Sequence, residues 1–350
     1  MPSTGRTFAA PAWSRRSKPW LLLLLALAGC ERSEGATRGK LAFDAPLPSA
    51  FAPDTKLSLG DPVVQKQLEA SGALSELPLR VEWQNISGGP ATIEAFRAGA
   101  LDGGSVGDTP PIHATFTGLD VKIVAVNLRD KPIYRLAVAP GSSVASVADL
   151  RGKKIAYSPG QAQGALVLRV LKKLGLTQAD VQLVQLLSTE FKDALASRQV
   201  DVAPLSGAPL KRYLNEFGAR GASSIEHGVS DSLGFFYVRS EVLQDPDKAA
   251  ALRAYVERRS KAQLWAAQNP QRWIDVYFVK DQGLSLDEGR FIVDNSGQPR
   301  FPADWSEAIA LTQETIDLLA AETGQQRFAA ESIFDRRFQP PASLSANDDH

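Results

Sequence analysis

The sequence predicts an α/β fold built on mostly parallel sheets. Short strand-like runs alternate with amphipathic helical stretches between residues 79 and 203, the pattern that places helices against a sheet. The run Val121-Lys122-Ile123-Val124-Ala125-Val126 is almost continuously apolar, as in a strand covered on both faces. A helix, a short turn and an apolar-Asp pair occur as Ala95-Phe96-Arg97-Ala98-Gly99-Ala100-Leu101-Asp102. They occur again as Ala194-Leu195-Ala196-Ser197-Arg198-Gln199-Val200-Asp201. Two similar α/β lobes would produce such an echo.

Taken in order, Leu79, Val81 and Trp83 alternate with Arg80 and Glu82, a half-buried strand. Ser87 offers an N-cap oxygen and Pro90 suits a first helical turn. Ile93 and Phe96 share a helical face, which Gly99 ends. Residues 121–126 and Tyr134 to Ala139 read as strands, as does Lys154 to Tyr157. Val167, Val170, Leu171 and Leu174 form an apolar stripe opposite Arg169, Lys172 and Lys173, a solvated face, and Gly175 stops that helix. Val181 to Leu187 is a strand. Ser188 or Thr189 caps a helix running to Arg198, and Val200 to Ala203 is a strand again. From Pro246 the pattern is helical, with Leu252, Tyr255 and Val256 on one face, a break at Asn269-Pro270, and two or three further helices.

The 350 residues are sufficient for two domains, and 44% hydrophobic with 22% charged is ordinary globular composition. Lysine plus arginine equals aspartate plus glutamate at 39 each, so the formal net charge is zero. That balance argues against nucleic acid, whose binding is driven by phosphate neutralisation. The single cysteine, Cys30, excludes an internal disulfide. His113, His227 and His350 lack ligand spacing, so no metal or other cofactor is expected. His113 reads as structural and Arg135 as a surface residue.

Arg15, Arg16 and Lys18 precede an apolar stretch, Leu21 to Ala28, of about eight residues, too short to cross a bilayer core of roughly 30 Å as a helix. Residues 1–29 are expected to be a signal peptide, residues 30–56 a tether rich in small, polar and proline residues, and residues 339–350 an unstructured tail. Leu27-Ala28-Gly29-Cys30 resembles the bacterial lipobox, which implies cleavage before Cys30 and lipid on its sulfur. Several acyl chains on one residue give stable anchoring, at the outer face of the cell membrane or in the periplasm.

A wider resemblance rests on Val81-Glu82-Trp83, Gly88-Gly89-Pro90, Gly107-Asp108-Thr109-Pro110-Pro111 and Asp149-Leu150-Arg151-Gly152-Lys153-Lys154-Ile155-Ala156. In this order they resemble the ABC-transporter substrate-binding proteins for aliphatic sulfonates, taurine and nitrate, over roughly Leu57 to Phe338. Gln313 and Phe334-Asp335-Arg336-Arg337-Phe338 fit that family's last helix and tail. The resemblance implies a two-lobed periplasmic binding protein of type II, hinged through two crossover segments. The crossings are expected near residues 138–142 and 232–236. Lobe I is then 57–139 with 235–338, and lobe II is 140–234. It also implies a monomer that carries a small anion to a permease and ATPase complex. Two departures stand out. The third loop reads Ser158-Pro159-Gly160-Gln161-Ala162-Gln163. After Val200-Asp201 the family's tryptophans are replaced by Val202-Ala203-Pro204-Leu205-Ser206-Gly207. The aromatic wall is thus absent on that side, which points to a bulkier or more polar ligand.

Read by themselves, Ser87-Gly88-Gly89-Pro90, Gly107-Asp108-Thr109-Pro110 and Ser158 to Gly164 each combine a strand end with a helix start. Backbone N–H groups there, helped by the helix dipole, hold anions without a lysine. Open α/β sheets bind ligands beyond their strand ends. The expected ligand-binding residues are Ser87, Gly88, Gly89, Asp108, Thr109, Ser158, Gln161, Ala162, Gln163 and Ser206. Asp108 should repel an anion, so it caps a helix or grips a cationic group. The alternatives are a sensory lipoprotein that does not transport, or an enzyme of the same fold, of the pyrimidine-synthesis or desulfinase type. A desulfinase needs a nucleophilic thiol, and Cys30 lies in the leader. No Ser-His-Asp or paired-acid pattern is present, so no catalysis is expected.

Overall fold

The computed structural model describes residues 39–86 and 88–340. The leader with Cys30, the first part of the tether, Ser87 and residues 341–350 lie outside the described residues. The first half of the fold runs β1 (Lys56–Gly60), α1 (Pro62–Ser71), β2 (Arg80–Trp83), α2 (Gly89–Arg97), β3 (Gly103–Gly107), α3 (Pro110–Phe116), β4 (Val121–Arg129) and β5 (Arg135–Val138). It continues with β6 (Lys154–Tyr157), α4 (Ala162–Lys173), β7 (Gln182–Gln185), α5 (Phe191–Ala196), β8 (Val202–Leu205), α6 (Gly207–Phe217) and β9 (Ser223–Ile225). The chain closes with β10 (Gly234–Arg239), α7 (Pro246–Gln268), α8 (Pro270–Trp273), a π-helical turn over Ile274–Val279, α9 (Leu286–Asn295), β11 (Pro299–Arg300) and α10 (Ser306–Thr323).

Two sheets result. One has the order β11-β4-β10-β3-β1-β2, the other β7-β6-β8-β5-β9. In the first, β1, β2 and β3 are parallel, and β10 runs antiparallel between β3 and β4, so β4 points the same way as β3. In the second, β6, β7 and β8 are parallel and β5 is antiparallel to β8 and β9. The chain passes between the sheets twice, from Arg129 to Arg135 and from Ile225 to Gly234.

The local reasons are ordinary ones. α4 buries Leu166, Val167, Val170 and Leu171 and ends before Gly175, whose φ of +65° needs glycine. α7 starts at Pro246, and the Asp245 carboxylate accepts from the amides of Asp247 and Lys248. Such a cap contributes about 1 kcal/mol. β10 is apolar from Phe235 to Val238 because it is an interior strand whose side chains are buried on both faces of the sheet. Leu57, Leu59, Phe235, Phe236, Tyr237 and Trp305 form the core of the first sheet. The second sheet has two faces, one around Leu136, Ile155 and Val202, the other around Phe191, Leu195 and Tyr213. α10 serves both lobes: Ala308 packs in the first core, Ile316 and Leu319 in the second.

Some sequence expectations need correction. The strand at 134–139 joins the second sheet, so the first crossing precedes it instead of lying at 138–142. Its period gave the strand, but its partners β8 and β9 are remote in sequence. The tether does not reach residue 56. Leu47 is buried with the first core, Leu41 and Phe51 pack beside it, and the Leu41 amide donates to Gln244 O at 2.7 Å. Their irregular spacing hid these apolar residues from a periodicity search. Neither Ser188 nor Thr189 caps α5: a short 3-10 turn over Ser188–Glu190 intervenes, and the Glu190 carboxylate takes the Leu187 amide at 2.7 Å.

Candidate functional site

The carboxyl edges of the two sheets meet, and there most of the candidate residues gather. Gly234 pairs with Gly107 on one side and with Asn127 on the other. The ends of β3 and β4 therefore stand about 10 Å apart on one edge, two strand spacings. On the facing edge, Arg135 pairs with Leu205, and β8 lies beside β6. That places the starts of α4 and α6 next to each other.

One end of this crevice is formed by the loops singled out in the sequence. A methyl group on Gly107 would lie 4.0 Å from the Ala162 Cβ, and one on Gly160 would lie 3.8 Å from the His113 ring. The β3–α3 segment of the first lobe thus touches the β6–α4 loop of the second. Gly89, the first residue of α2, packs against the ring of Pro110; a Cβ there would fall 2.6 Å from Pro110 Cγ. Gly88 is exposed at the N-cap with a φ of +83°. Gly164 is required because a Cβ would come within 2.2 Å of Ser158 O. Ser87 lies outside the described residues.

The polar side chains in this end divide into spent and unspent. Ser158 is buried and its hydroxyl donates to Gln161 Oε1 at 2.8 Å, so the two face each other across the turn that starts α4. Asp108 is buried, and the cation it grips is the chain's own: Arg169 of α4 donates to its carboxylate and, at 2.7 Å, to Thr315 Oγ1 of α10. The pair joins both lobes to α10; of the two roles expected of Asp108, it makes no side-chain cap on α3 and grips a cationic group, the guanidinium of Arg169. Thr109 Oγ1 and His113 Nε2, one helical turn apart on α3, are both buried without a partner among the described residues. Burial pushes the His113 imidazole below its ordinary range, with Asp108 opposing weakly, so the ring is held neutral. Gln163, at the start of α4, is half-buried.

The other end is a cavity of about 600 Å³ lined by both crossings, by Ser206 and Gly207 at the start of α6, and by Phe291 and Ile292 of α9. Such a volume suits a small-molecule ligand. The sequence expected an anion held by backbone amides without a matching cation. Instead Arg129, Lys131 and Arg135, all from the first crossing, line the cavity, against one acid, Glu226. Arg129 donates to the carbonyls of Ser296 and Gly297 at 3.2 and 3.1 Å, and Lys131 Nζ to Asp294 O at 2.9 Å. Those acceptors are neutral, so the positive charge is not cancelled. Burial holds the Arg129 pKa below its ordinary value, though Asp130 nearby opposes this. Arg135 pairs with Glu226 at 3.1 Å while its Nε is buried and unpartnered. Ser206 makes no side-chain cap on α6, an 11-residue helix, and Ser206 and Gly207 at its start line the cavity. The sequence does not show these cations as a site because the seven residues from Arg129 to Arg135 say nothing of what they surround.

The two crossings are braced to each other. Asp231 of the second accepts the amides of Ile133 and Tyr134 of the first at 2.8 and 2.9 Å. His227 takes the Val229 amide on Nδ1, so its Nε2–H donates to Tyr134 O at 3.0 Å. Among the described residues, no group of His, Cys, Asp and Glu is arranged to hold a metal ion, and no helix is long and apolar enough to cross a membrane.

Two sheets, two crossings and facing carboxyl edges define the two-lobed fold of the periplasmic binding proteins. The crystal structure of the periplasmic aliphatic sulphonate binding protein SsuA from Escherichia coli matches with a TM-score of 0.70 at 22% identity, over 81% of this chain and 92% of that one. The family described as NMT1/THI5 like matches residues 76–272, more than half of the chain. The chain belongs to the NMT1/THI5-like family. A relative named putative aliphatic sulfonates-binding protein, from Escherichia coli strain K12, is 27% identical over 68% of this chain and 74% of its own length. The fold also serves catalysis elsewhere: the desulfurization enzyme DSZB matches with a TM-score of 0.56 at 15% identity, over 84% of this chain and 99% of that one.

Proposed function

We propose that this chain is the exported solute-binding component of an ABC importer. It captures a small organic anion of the aliphatic sulfonate kind between its lobes and presents it to a permease and ATPase complex, as a monomer held to the membrane through lipid on Cys30. The observation that carries the reading is the hinge cavity, where three cations and the start of α6 converge between two crossings. A sulfonate spreads its charge over three oxygens, enough to engage Arg135 Nε and the Gly207 amide together. Ligand bridging the two edges favours the closed arrangement of the lobes, and the paired crossings serve as the hinge. The resemblance to sulfonate-binding relatives supports the same ligand class.

Binding without catalysis fits the absence of any cysteine other than Cys30, because a desulfinase needs a thiol at its site. A thermal-shift screen of ethanesulfonate, taurine, nitrate and acetate tests the reading. A sulfonate at about 100 times its dissociation constant stabilises by about 2.7 kcal/mol. Equal silence from all four ligands overturns it.

A further inference from the structure

Beside the hinge cavity lies a second one of about 630 Å³, and the two share Arg129, Lys131 and Ser296. Arg129, which donates to the carbonyls of Ser296 and Gly297, borders both. The walls of the second cavity are different in kind. Trp273, Tyr277 and Phe278 form one side, and Val63 and Ala267 belong to the opposite helices α1 and α7. Trp273 and Tyr277 are stacked, with ring centroids 4.4 Å apart and planes within 7°. They stand at i and i+4, and the π-helical turn over Ile274–Val279 lies across this interval. Such turns are costly irregularities that recur at functional sites. Trp273 is buried, whereas Tyr277 and Phe278 are only half-buried, so ring surface faces the cavity.

One polar atom there is unsatisfied. Gln67 is 7% exposed, lines the cavity, and its Oε1 has no hydrogen-bond partner among the described residues. A buried acceptor of this kind costs stability unless something donates to it. Two acids also line the cavity, Asp130 and Asp294, and Asp130 accepts the Gln298 amide at 2.7 Å.

We infer that the second cavity is an aromatic subsite, and that the ligand of this chain is an aryl sulfonate or a similar aromatic anion, its charged head in the hinge cavity and its ring passing Arg129 to lie against Tyr277 and Phe278. The inference rests on the reading of the hinge cavity as the anion site and narrows it. A two-carbon sulfonate occupies only a fraction of the combined space. An aromatic ring makes ring–ring contact with Tyr277 and Phe278, meets the Arg129 guanidinium at its face, and, where it carries an amino or hydroxyl group, gives Gln67 its missing donor.

Titration calorimetry on the full chain with ethanesulfonate and with 6-amino-2-naphthalenesulfonate tests this. The aromatic anion binds tighter by about tenfold or more, the return expected for burying one ring system. Ala267→Phe fills the cavity from α7 at a half-buried position, so the chain still folds. It removes the aromatic advantage and leaves ethanesulfonate affinity within about twofold of the parent value. Equal affinities for the two ligands, or an Ala267→Phe variant that keeps the full aromatic advantage, overturns the subsite while the anion reading stands. If neither ligand binds the parent chain, the anion reading falls and takes the subsite with it.

Discussion

Asp102 and Asp201 make the same bonds in the two lobes. The Asp102 amide donates to Ser58 O at 2.8 Å and its Oδ2 accepts the Ser58 amide at 3.0 Å; the Asp201 amide donates to Lys154 O at 2.8 Å and its Oδ2 accepts the Lys154 amide at 2.9 Å. Each carboxylate thus clips the turn after a helix onto the neighbouring strand, β1 in one lobe and β6 in the other. The echo visible in the sequence is this shared device. Asp201→Ala strips Lys154 of its acceptor and Ser142 Oγ of its partner, and is expected to cost about 1–3 kcal/mol in urea unfolding. A loss below about 0.5 kcal/mol would show that water replaces the carboxylate.

Gly89 carries a stability prediction more than an affinity one. Any side chain there runs into Pro110, so Gly89→Val forces α2 and α3 apart. Overpacking of that kind costs about 1–3 kcal/mol. Chemical denaturation beside titration calorimetry separates the effects. Unchanged stability with lost anion affinity would mean that the Gly89 amide itself meets the ligand.

Arg169→Met leaves the Asp108 carboxylate buried and unpaired between the lobes. Removing one partner of such a pair costs about 3 kcal/mol or more. Adding Asp108→Asn should restore part of the loss, a coupling that a double-mutant cycle measures directly. Additive losses would mean that the two side chains act separately.

His113 gives a pH dependence with a definite sign. Its folded-state pKa is lowered from 6.5, so the unfolded chain takes up the proton first. This contribution to stability is full above about pH 6.5 and is lost as pH falls from there toward the lowered folded value. His113→Phe should flatten the stability curve over that interval. Unfolding midpoints at pH 7.5 and 5.5 suffice, and an identical drop in parent and variant would remove His113 as the cause.

Local pattern made much of the fold legible. The stripe on α4, the stop at Gly175, the apolar run of β4 and the break at Asn269-Pro270 all follow from spacing within one element. What escaped depends on partners far along the chain. β5 was visible as a strand, but only pairing with β8 and β9 assigns it to the second sheet. β3 reads Gly-Gly-Ser-Val-Gly, too poor in side chains to show alternation; its glycines are small because Phe236 and Thr92 press against them. The loops at 87–90, 107–110 and 158–164 read as strand-to-helix turns, and from Gly88 onward the structure has them between a strand and a helix, with the second and third in contact. Arg129, Lys131 and Arg135 escaped because each looks like a surface cation until the second crossing, α6 and α9 enclose them. The aromatic wall at 273–278 was hidden in what read only as further helix.

We propose that an anionic head sits where the two crossings meet the start of α6. Crystals of the chain grown with 2-bromoethanesulfonate test it most directly, since anomalous scattering locates the bromine and difference density the sulfonate. The sulfonate is expected within hydrogen-bond reach of Arg135 Nε and the Gly207 amide, in the cavity of about 600 Å³. A sulfonate found outside the crevice, with those groups bonded only to water, would contradict it.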